Sequence, residues 1–312
     1  MPSPHDAQTV VIGAGPAGLT AALVLARYRH PVVVVDGRQE PRNNASEGVH
    51  GHVGLDGASP DYIRSRAWAE LSRYATVQRR RADADNIEAV HGGRFRIGLD
   101  IGETIESSSV LLATGVVDVH PNHVSGFSAC WGRSVIHCPF CLGEENAGGR
   151  WAVVTDDARL AALSAVAFRA WSDDTVAICA ESMPDINDAR TKARGMGGDI
   201  VTGAIRRLHH QGGALQAVEF DDGRVLERDT LVWTLPQRQQ PVVTRAIEDL
   251  KLTADDAGFV TVDATQCTSV AGLFAAGDVA ARWRQSFTAA AAAGATAAEA
   301  IHAAAILSAV QH

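Results

Sequence analysis

The sequence predicts an α/β fold made of two Rossmann-like, three-layer (ββα) domains. Three observations carry that reading. Short apolar, β-branched runs recur and each opens into a turn: Thr9–Ile12, Val32–Val35 and Val110–Leu112 early in the chain, Trp151–Val154 and Thr175–Ala180 later. The first runs straight into Gly13-Ala14-Gly15-Pro16-Ala17-Gly18 and then into a helical stretch, Leu19–Tyr28. A length of 312 residues with 46% apolar content is enough for two cores.

Thr9–Ile12, the glycine turn, Leu19–Tyr28 and Val32–Val35 make a βαβ unit of ~30 residues. A lone GxGxxG says little, but between two such strands, with Asp36 closing the second, it reads as a dinucleotide site. Gly13 permits the tight turn, Gly15 lets the backbone approach a pyrophosphate, and Gly18 lets helix and strand pack closely. Pro16 and Ala17 open the helix, whose unpaired N–H groups favour phosphate. Asp36 is placed to accept hydrogen bonds from adenosine ribose hydroxyls. A loop rich in Gly, Asn and His follows through Ser59 and carries His50 and His52. Asp61–Tyr74 reads as a helix with a stripe at Ile63, Ala67 and Leu71, and short strands follow at Ala75–Gln78, Ile87–Val90, Arg94–Leu99 and Thr104–Glu106. The apolar strand Val110–Gly115 ends in Ala113-Thr114-Gly115, and the last segment contains Gly272-Leu273-Phe274-Ala275-Ala276-Gly277-Asp278.

Lys and Arg total 28 against 36 Asp and Glu, a net charge of −8, which argues against nucleic acid as a partner. The polar N-terminus, Met1–Gln8, lacks an apolar signal core, and no run reaches the ~18 apolar residues of a membrane span. The nearest, Ala289–Val310, is broken by Gly294, Glu299 and His302 and reads as a packed helix. A cytoplasmic protein without membrane contact is expected. Five cysteines (130, 138, 141, 179 and 267) are too few and too uneven for a secreted disulfide scaffold. Cys138-Pro139-Phe140-Cys141 reads as a redox pair. Zinc needs further ligands at comparable spacing, so no metal is expected. At a helix start the pair gains a depressed thiol pKa, and Pro139 suits the first turn.

Gly13–Gly18, Ala113–Gly115, Cys138–Cys141 and Ala275–Asp278 stand in the order and spacing of the low-molecular-weight thioredoxin reductases. Arg284-Gln285 before an Ala-rich helix also matches, and the chain resembles that family over nearly its whole length. The resemblance implies FAD as cofactor and a homodimer. It also implies a discontinuous FAD domain (1–118 and 242–312) around an inserted domain (119–241) of NADPH type carrying the cysteines. Asp278 would contact the FAD pyrophosphate–ribityl region and Gln285 would sit near the isoalloxazine. Gly37 and Arg38 beside Asp36, and Arg284 and Ser286 beside Gln285, complete the cofactor set. Cys141 would face the flavin, with Cys138 as the outer, exchanging thiol.

Two parts of that pattern are missing. The inserted domain's glycine turn is replaced by Thr155-Asp156-Asp157-Ala158-Arg159-Leu160, where Cβ atoms and carboxylates oppose a pyrophosphate. The basic pair for a 2′-phosphate is replaced by Glu181-Ser182-Met183-Pro184, while Arg190, Lys192 and Arg194 read as a solvated helix face. The NADPH site is therefore degenerate. The aspartate that follows the second cysteine in those reductases is Leu142 here, leaving His137, Glu144 or Glu145 for proton handling. Cys-Pro-Phe-Cys and the segment His50–Thr76 also resemble the FAD-dependent dithiol oxidases of the holomycin and gliotoxin type. The expected activity is oxidation of a dithiol, on a small molecule or a thioredoxin-like protein, through Cys138–Cys141 and FAD, with O2 giving H2O2. Two alternatives stand beside it. One is a thioredoxin-like disulfide reductase fed by a ferredoxin-type donor, against which the net charge of −8 weighs. The other is a flavin-binding redox sensor.

Overall fold

Val32–Val35 is buried at every position, as a strand covered on both faces must be. In the computed structural model, which describes residues 6–311, it is the second strand of a seven-stranded sheet. The N-terminal stretch Met1–His5 lies outside the described residues. Val32–Val35 pairs in parallel with Asp6–Ile12, in register from Thr9↔Val32 to Ile12↔Val35, and on its other edge with Val77–Arg80. Asp6–Ile12 pairs in parallel with Thr104–Leu112. The first half of Thr104–Leu112 pairs antiparallel with Arg94–Leu99, which pairs with Ala84–Val90, and its second half pairs in parallel with Leu273–Ala275. The two strands expected at Thr104–Glu106 and Val110–Gly115 are thus one. The serines between them do not break it, because Ser107 is buried and donates its hydroxyl to the Ser109 carbonyl.

The first helix is Pro16–Arg27, starting earlier than the expected Leu19, because Pro16 sits in the first turn where its missing N–H costs nothing. Helix Phe287–Gln311 packs on it at a close approach of small residues. A Cβ at Gly294 would stand 2.1 Å from the Ala17 carbonyl oxygen. By length and composition Phe287–Val310 could cross a bilayer, but Ala290, Ala297, Ala298 and Ile301 enter the core with Leu19, Leu25 and Val34.

The chain divides into two compact units. The first is Met1–Arg42, Asp61–Val117 and Gln237–His312; the second is Asn43–Pro60 and Asp118–Pro236. The crossings fall at 117/118 and 236/237, against the expected 118/119 and 241/242. Helix Pro241–Asp249 explains the later one, since Val242, Val243 and Ala246 join the core of Val10, Val33 and Val110. Residues 43–60, expected with the first domain, group with the second: Val49 bridges Ala58, and Ala45 lies against Gly132.

The second unit holds a five-stranded parallel sheet in the order Asp199–Thr202, Thr175–Cys179, Trp151–Val154, Thr230–Trp233, Val135–Ile136. Helices Ala158–Ala167 and Ile186–Gly195 connect its strands, and Ile205–Gln211, Ala214–Phe220 and Val225–Glu227 form a separate antiparallel sheet. Lys192 and Arg194 are exposed and paired with Asp188 and Asp199, the solvated face expected of that helix.

Two stability effects follow. Gly294→Ala should overpack the contact with Ala17, cost about 1–3 kcal/mol and weaken flavin retention, which thermal melts and the absorbance of purified protein will show. His30 is 4% exposed, shares a 2.8 Å hydrogen bond between Nε2 and Thr9 Oγ1, and lies edge-on to His302. Burial first, and then His302, lower its pKa to about 4. A depressed folded pKa means that stability is complete above the unfolded value near 6.5 and falls as the pH drops from there toward 4. The expected loss at pH 5 is about 1–2 kcal/mol, and His30→Gln should flatten that limb of a melting-temperature profile.

Candidate active site

Three parallel strands of the first unit end side by side, and the turns that leave them carry most of the expected cofactor residues. Gly13 N–H donates to the Val35 carbonyl at 2.9 Å, Ala113 N–H to Ile12 at 2.8 Å, and Ala276 N–H to Leu112 at 2.9 Å. Ligands of open α/β sheets lie beyond such strand ends. Gly13, at φ 112°, runs so close to Ala113 that a Cβ would sit 2.3 Å from its carbonyl oxygen. A Cβ on Gly18 would meet the Gly13 carbonyl at 1.9 Å. Gly15 differs: nothing lies within 4 Å of where its Cβ would be, and as N-cap of helix Pro16–Arg27 it offers no side-chain cap. The first-turn amides of that helix therefore face open space. An uncapped helix start, a glycine beside it and backbone turns at Thr114-Gly115 and Gly277 fit a pyrophosphate. Gly277, at φ 83°, stands against Ala17, so the Gly277-Asp278 turn is held at the same helix start.

Arg42 links two of the remaining expected residues, donating from Nη1 to Asp278 Oδ2 at 3.1 Å and to Gln285 Oε1 at 2.7 Å. Gln285 also exchanges side-chain amide hydrogen bonds with Gln237 at 2.7 and 2.8 Å. Sequence reasoning missed Arg42 and Gln237, whose partners lie more than 40 residues away and leave no local pattern. Asp36 was expected to face a ribose. Its carboxylate is 1% exposed and is held by Arg64 and by Arg79, whose Nε donates at 2.8 Å, so in this structure it anchors an ion-pair cluster. Gly37 lies against the Asp83 carboxylate, to which Arg38 N–H donates at 3.1 Å, and the Arg38 guanidinium pairs with Asp100. Arg284 is exposed, and Ser286 caps helix Phe287–Gln311, its Oγ accepting from Ala289 N–H at 3.2 Å.

In the second unit Cys138 and Cys141 form a disulfide across a Cα–Cα distance of 5.3 Å. Cys138 is extended and caps helix Pro139–Leu142, its carbonyl accepting from Cys141 N–H at 3.1 Å. That helix is a single turn, so its dipole is weaker than the sequence pattern suggests. Phe140 between the cysteines is 85% exposed and meets Trp171 edge-on at 5.6 Å. Cys141 packs against Ile136, Leu142 and Trp151. His137 precedes the pair, half-buried, its ring 6.0 Å from that of Trp131. Leu142 is 8% exposed and carries no proton. Two other thiols are poor nucleophiles: burial raises Cys130 and pushes Cys179 up to about 11.

The strand-to-helix turn after Trp151–Val154 is the counterpart of the glycine turn. Its helix, Ala158–Ala167, is capped by Asp157, whose Oδ1 accepts the N–H groups of Arg159 at 2.8 Å and Leu160 at 3.1 Å. The sequence showed the carboxylate as a repulsion. An Asp directly before an Ala-rich helical run also fits the N-cap rule, which would have found this role.

The sequence profile of the pyridine nucleotide-disulphide oxidoreductases matches residues 7–161 and 186–297. The thioredoxin reductase tcpT of Claviceps purpurea is 30% identical over 305 residues, covering 89% of this chain and 88% of its own. Among solved structures, thioredoxin reductase TrxB of Bacillus anthracis superposes with a TM-score of 0.86 at 26% identity, covering 98% of this chain and 100% of its own. HlmI does so with a TM-score of 0.86 at 28% identity, covering 100% and 97%. With a glycine cradle that fits a dinucleotide and a disulfide one turn wide, the chain belongs to the pyridine nucleotide-disulphide oxidoreductase family and is an FAD-dependent thiol–disulfide oxidoreductase of the thioredoxin reductase type.

Proposed function

We propose that the enzyme oxidises a dithiol to a disulfide without using NADPH, and that O2 is the final acceptor, giving H2O2. The observation that carries this reading is the Asp157 cap. The two strand-to-helix turns have been treated oppositely: Gly15 leaves its helix amides open, whereas Asp157 satisfies those of Arg159 and Leu160 from within the chain. A pyrophosphate there would have to displace a tethered carboxylate and then sit beside Asp156 and Asp157. FAD, when bound, supplies the two-electron acceptor for the enzyme dithiol.

The chain's own thiols do the rest. A substrate thiolate attacks Cys138 Sγ, the Cys138–Cys141 bond breaks, and Cys141 leaves as a thiolate. The second substrate thiol then attacks the substrate sulfur of the mixed disulfide, which closes the substrate disulfide and releases Cys138. The substrate loses two electrons and two protons, and O2 takes both up as H2O2. Phe140, exposed between two half-buried cysteines, suits contact with a small-molecule dithiol or with a loop of a thioredoxin-like protein. A cytoplasmic homodimer is part of the same proposal.

Anaerobic titration of the yellow protein tests it. NADPH should leave the flavin band unchanged, a small dithiol should bleach it, and air should restore it with one H2O2 per disulfide formed. Bleaching by micromolar NADPH overturns the proposal. Cys138→Ser should abolish bleaching by dithiol. Cys141→Ser should instead trap the substrate on Cys138 as a mixed disulfide visible by mass spectrometry. Asp157→Ala should cost about 1 kcal/mol of stability and still not confer reduction by NADPH, because the turn remains without glycine and the next strand without its arginines.

A further inference from the structure

The turn that closes the glycine cradle carries a carboxylate. A Cβ at Gly277 would lie 3.0 Å from the Ala17 Cβ and 3.5 Å from that of Ala290, so this turn packs against the uncapped start of helix Pro16–Arg27. Asp278 is the next residue, one Cα step of about 3.8 Å further on. The turn is fixed on its far side as well. Gln239 Nε2 donates to the Val279 carbonyl at 3.1 Å, and Val260 N–H donates to the same oxygen at 3.0 Å. A helix start with open amides attracts anions. A carboxylate left unheld beside it opposes the phosphates of a dinucleotide or takes their place, as Asp157 does at the corresponding turn of the second unit.

Arg42 meets that carboxylate. It stands at the start of the 3-10 turn Arg42–Ala45, in the loop that follows strand Val32–Val35. Its Nη1 donates to Asp278 Oδ2 at 3.1 Å and to Gln285 Oε1 at 2.7 Å, and the two charged side chains are only 16% and 19% exposed. At that burial the ion pair is screened far less than one on the surface. The same guanidinium orients Gln285. The Gln285 oxygen accepts from Arg42 and from Gln237 Nε2 at 2.8 Å, while its Nε2 donates to Gln237 Oε1 at 2.7 Å and to the Ala281 carbonyl at 3.0 Å. Arg42 therefore joins the two ends of the segment 278–285. Arg282 within that segment is engaged elsewhere: it pairs with Asp256 at 2.7 Å and lies over the Trp283 ring.

We propose that Arg42 is a positioning residue for FAD. It neutralises Asp278, keeps that carboxylate from opposing the phosphates at the helix start, and ties the segment 278–285 to the loop after Val32–Val35. Without it a part-buried carboxylate stands uncompensated beside the site of a dianion. This role follows from FAD as the cofactor and is independent of the electron acceptor proposed above.

The test is the affinity of the apoprotein for FAD, read by quenching of flavin fluorescence, with circular dichroism to show that each variant is folded. Arg42→Gln keeps a side-chain donor and removes the charge, and should weaken FAD binding on the order of 10–100-fold. Arg42→Lys keeps the charge and should bind close to the parent. The double variant Arg42→Gln, Asp278→Asn removes both charges and should regain part of the lost affinity, which a purely structural role of Arg42 does not predict. Arg282→Met removes an equal charge from the same segment but from other partners, Asp255 and Asp256, and should bind FAD like the parent. A folded Arg42→Gln protein with the parent affinity overturns the proposal. So does a double variant that binds no more tightly than Arg42→Gln, or an Arg282→Met protein that binds as weakly. If Arg42→Gln does not fold, the other two variants decide: failure of either Arg42→Lys or the double variant to bind FAD overturns the proposal.

Discussion

The first amides of a helix have no partner within the helix, and something has to meet them. Two corresponding strand-to-helix turns of this protein, after Asp6–Ile12 and after Trp151–Val154, answer it in opposite ways. At Gly15 no side chain reaches the amides, so their hydrogen bonds and the positive end of the helix are left for a ligand's phosphates. At Asp157 the amides are satisfied from within. A tethered carboxylate is always present, needs no ligand and brings the negative charge that the helix start favours.

The dithiol turn depends on a second constraint, packing. A Cβ at Gly143 would lie 2.2 Å from the Pro139 carbonyl oxygen and 2.7 Å from the Trp171 indole nitrogen, so the segment can wind tightly only with glycine there. Trp171 in turn stacks on Trp151 at 5.9 Å, and the Trp151 indole donates to the Asn146 carbonyl at 3.0 Å. Asn146 donates back to Leu142 at 2.9 Å. The one-turn helix is thus held from outside by an aromatic stack and an amide as well as by its own few hydrogen bonds. The disulfide is displayed at its edge, with Phe140 projecting beside it.

What could be read from the sequence follows the range of the interactions involved. Val32–Val35, Arg94–Leu99 and Trp151–Val154 have the bounds expected of them, because a buried parallel strand or an alternating one is encoded by its own residues. The glycine cradle is legible for the same reason, since Gly13, Gly15 and Gly18 are needed for backbone conformation and clearance. The roles of Asp36 and Arg42 are not legible. Asp36 pairs with residues 28 and 43 positions away, and Arg42 with residues 236 and 243 away. Nor does composition reveal that residues 43–60 fold with the later part of the chain, because the contacts that bind them, Ala45 to Gly132 and His50 to Glu145, cross a long gap in sequence.

Electron transfer through a dithiol also requires that other thiols stay out of it. Cys179 ends a fully buried strand, and burial together with Asp156 holds its thiol up at about 11. Cys130 is buried and its pKa raised by desolvation. Since only the thiolate is a nucleophile, both are silent near neutral pH. Asp156 therefore adds its charge to the effect of burial in keeping the neighbouring thiol protonated. The aspartates of one turn thus act on two neighbours: Asp157 meets the first amides of helix Ala158–Ala167, and Asp156 adds to the burial that keeps the Cys179 thiol protonated.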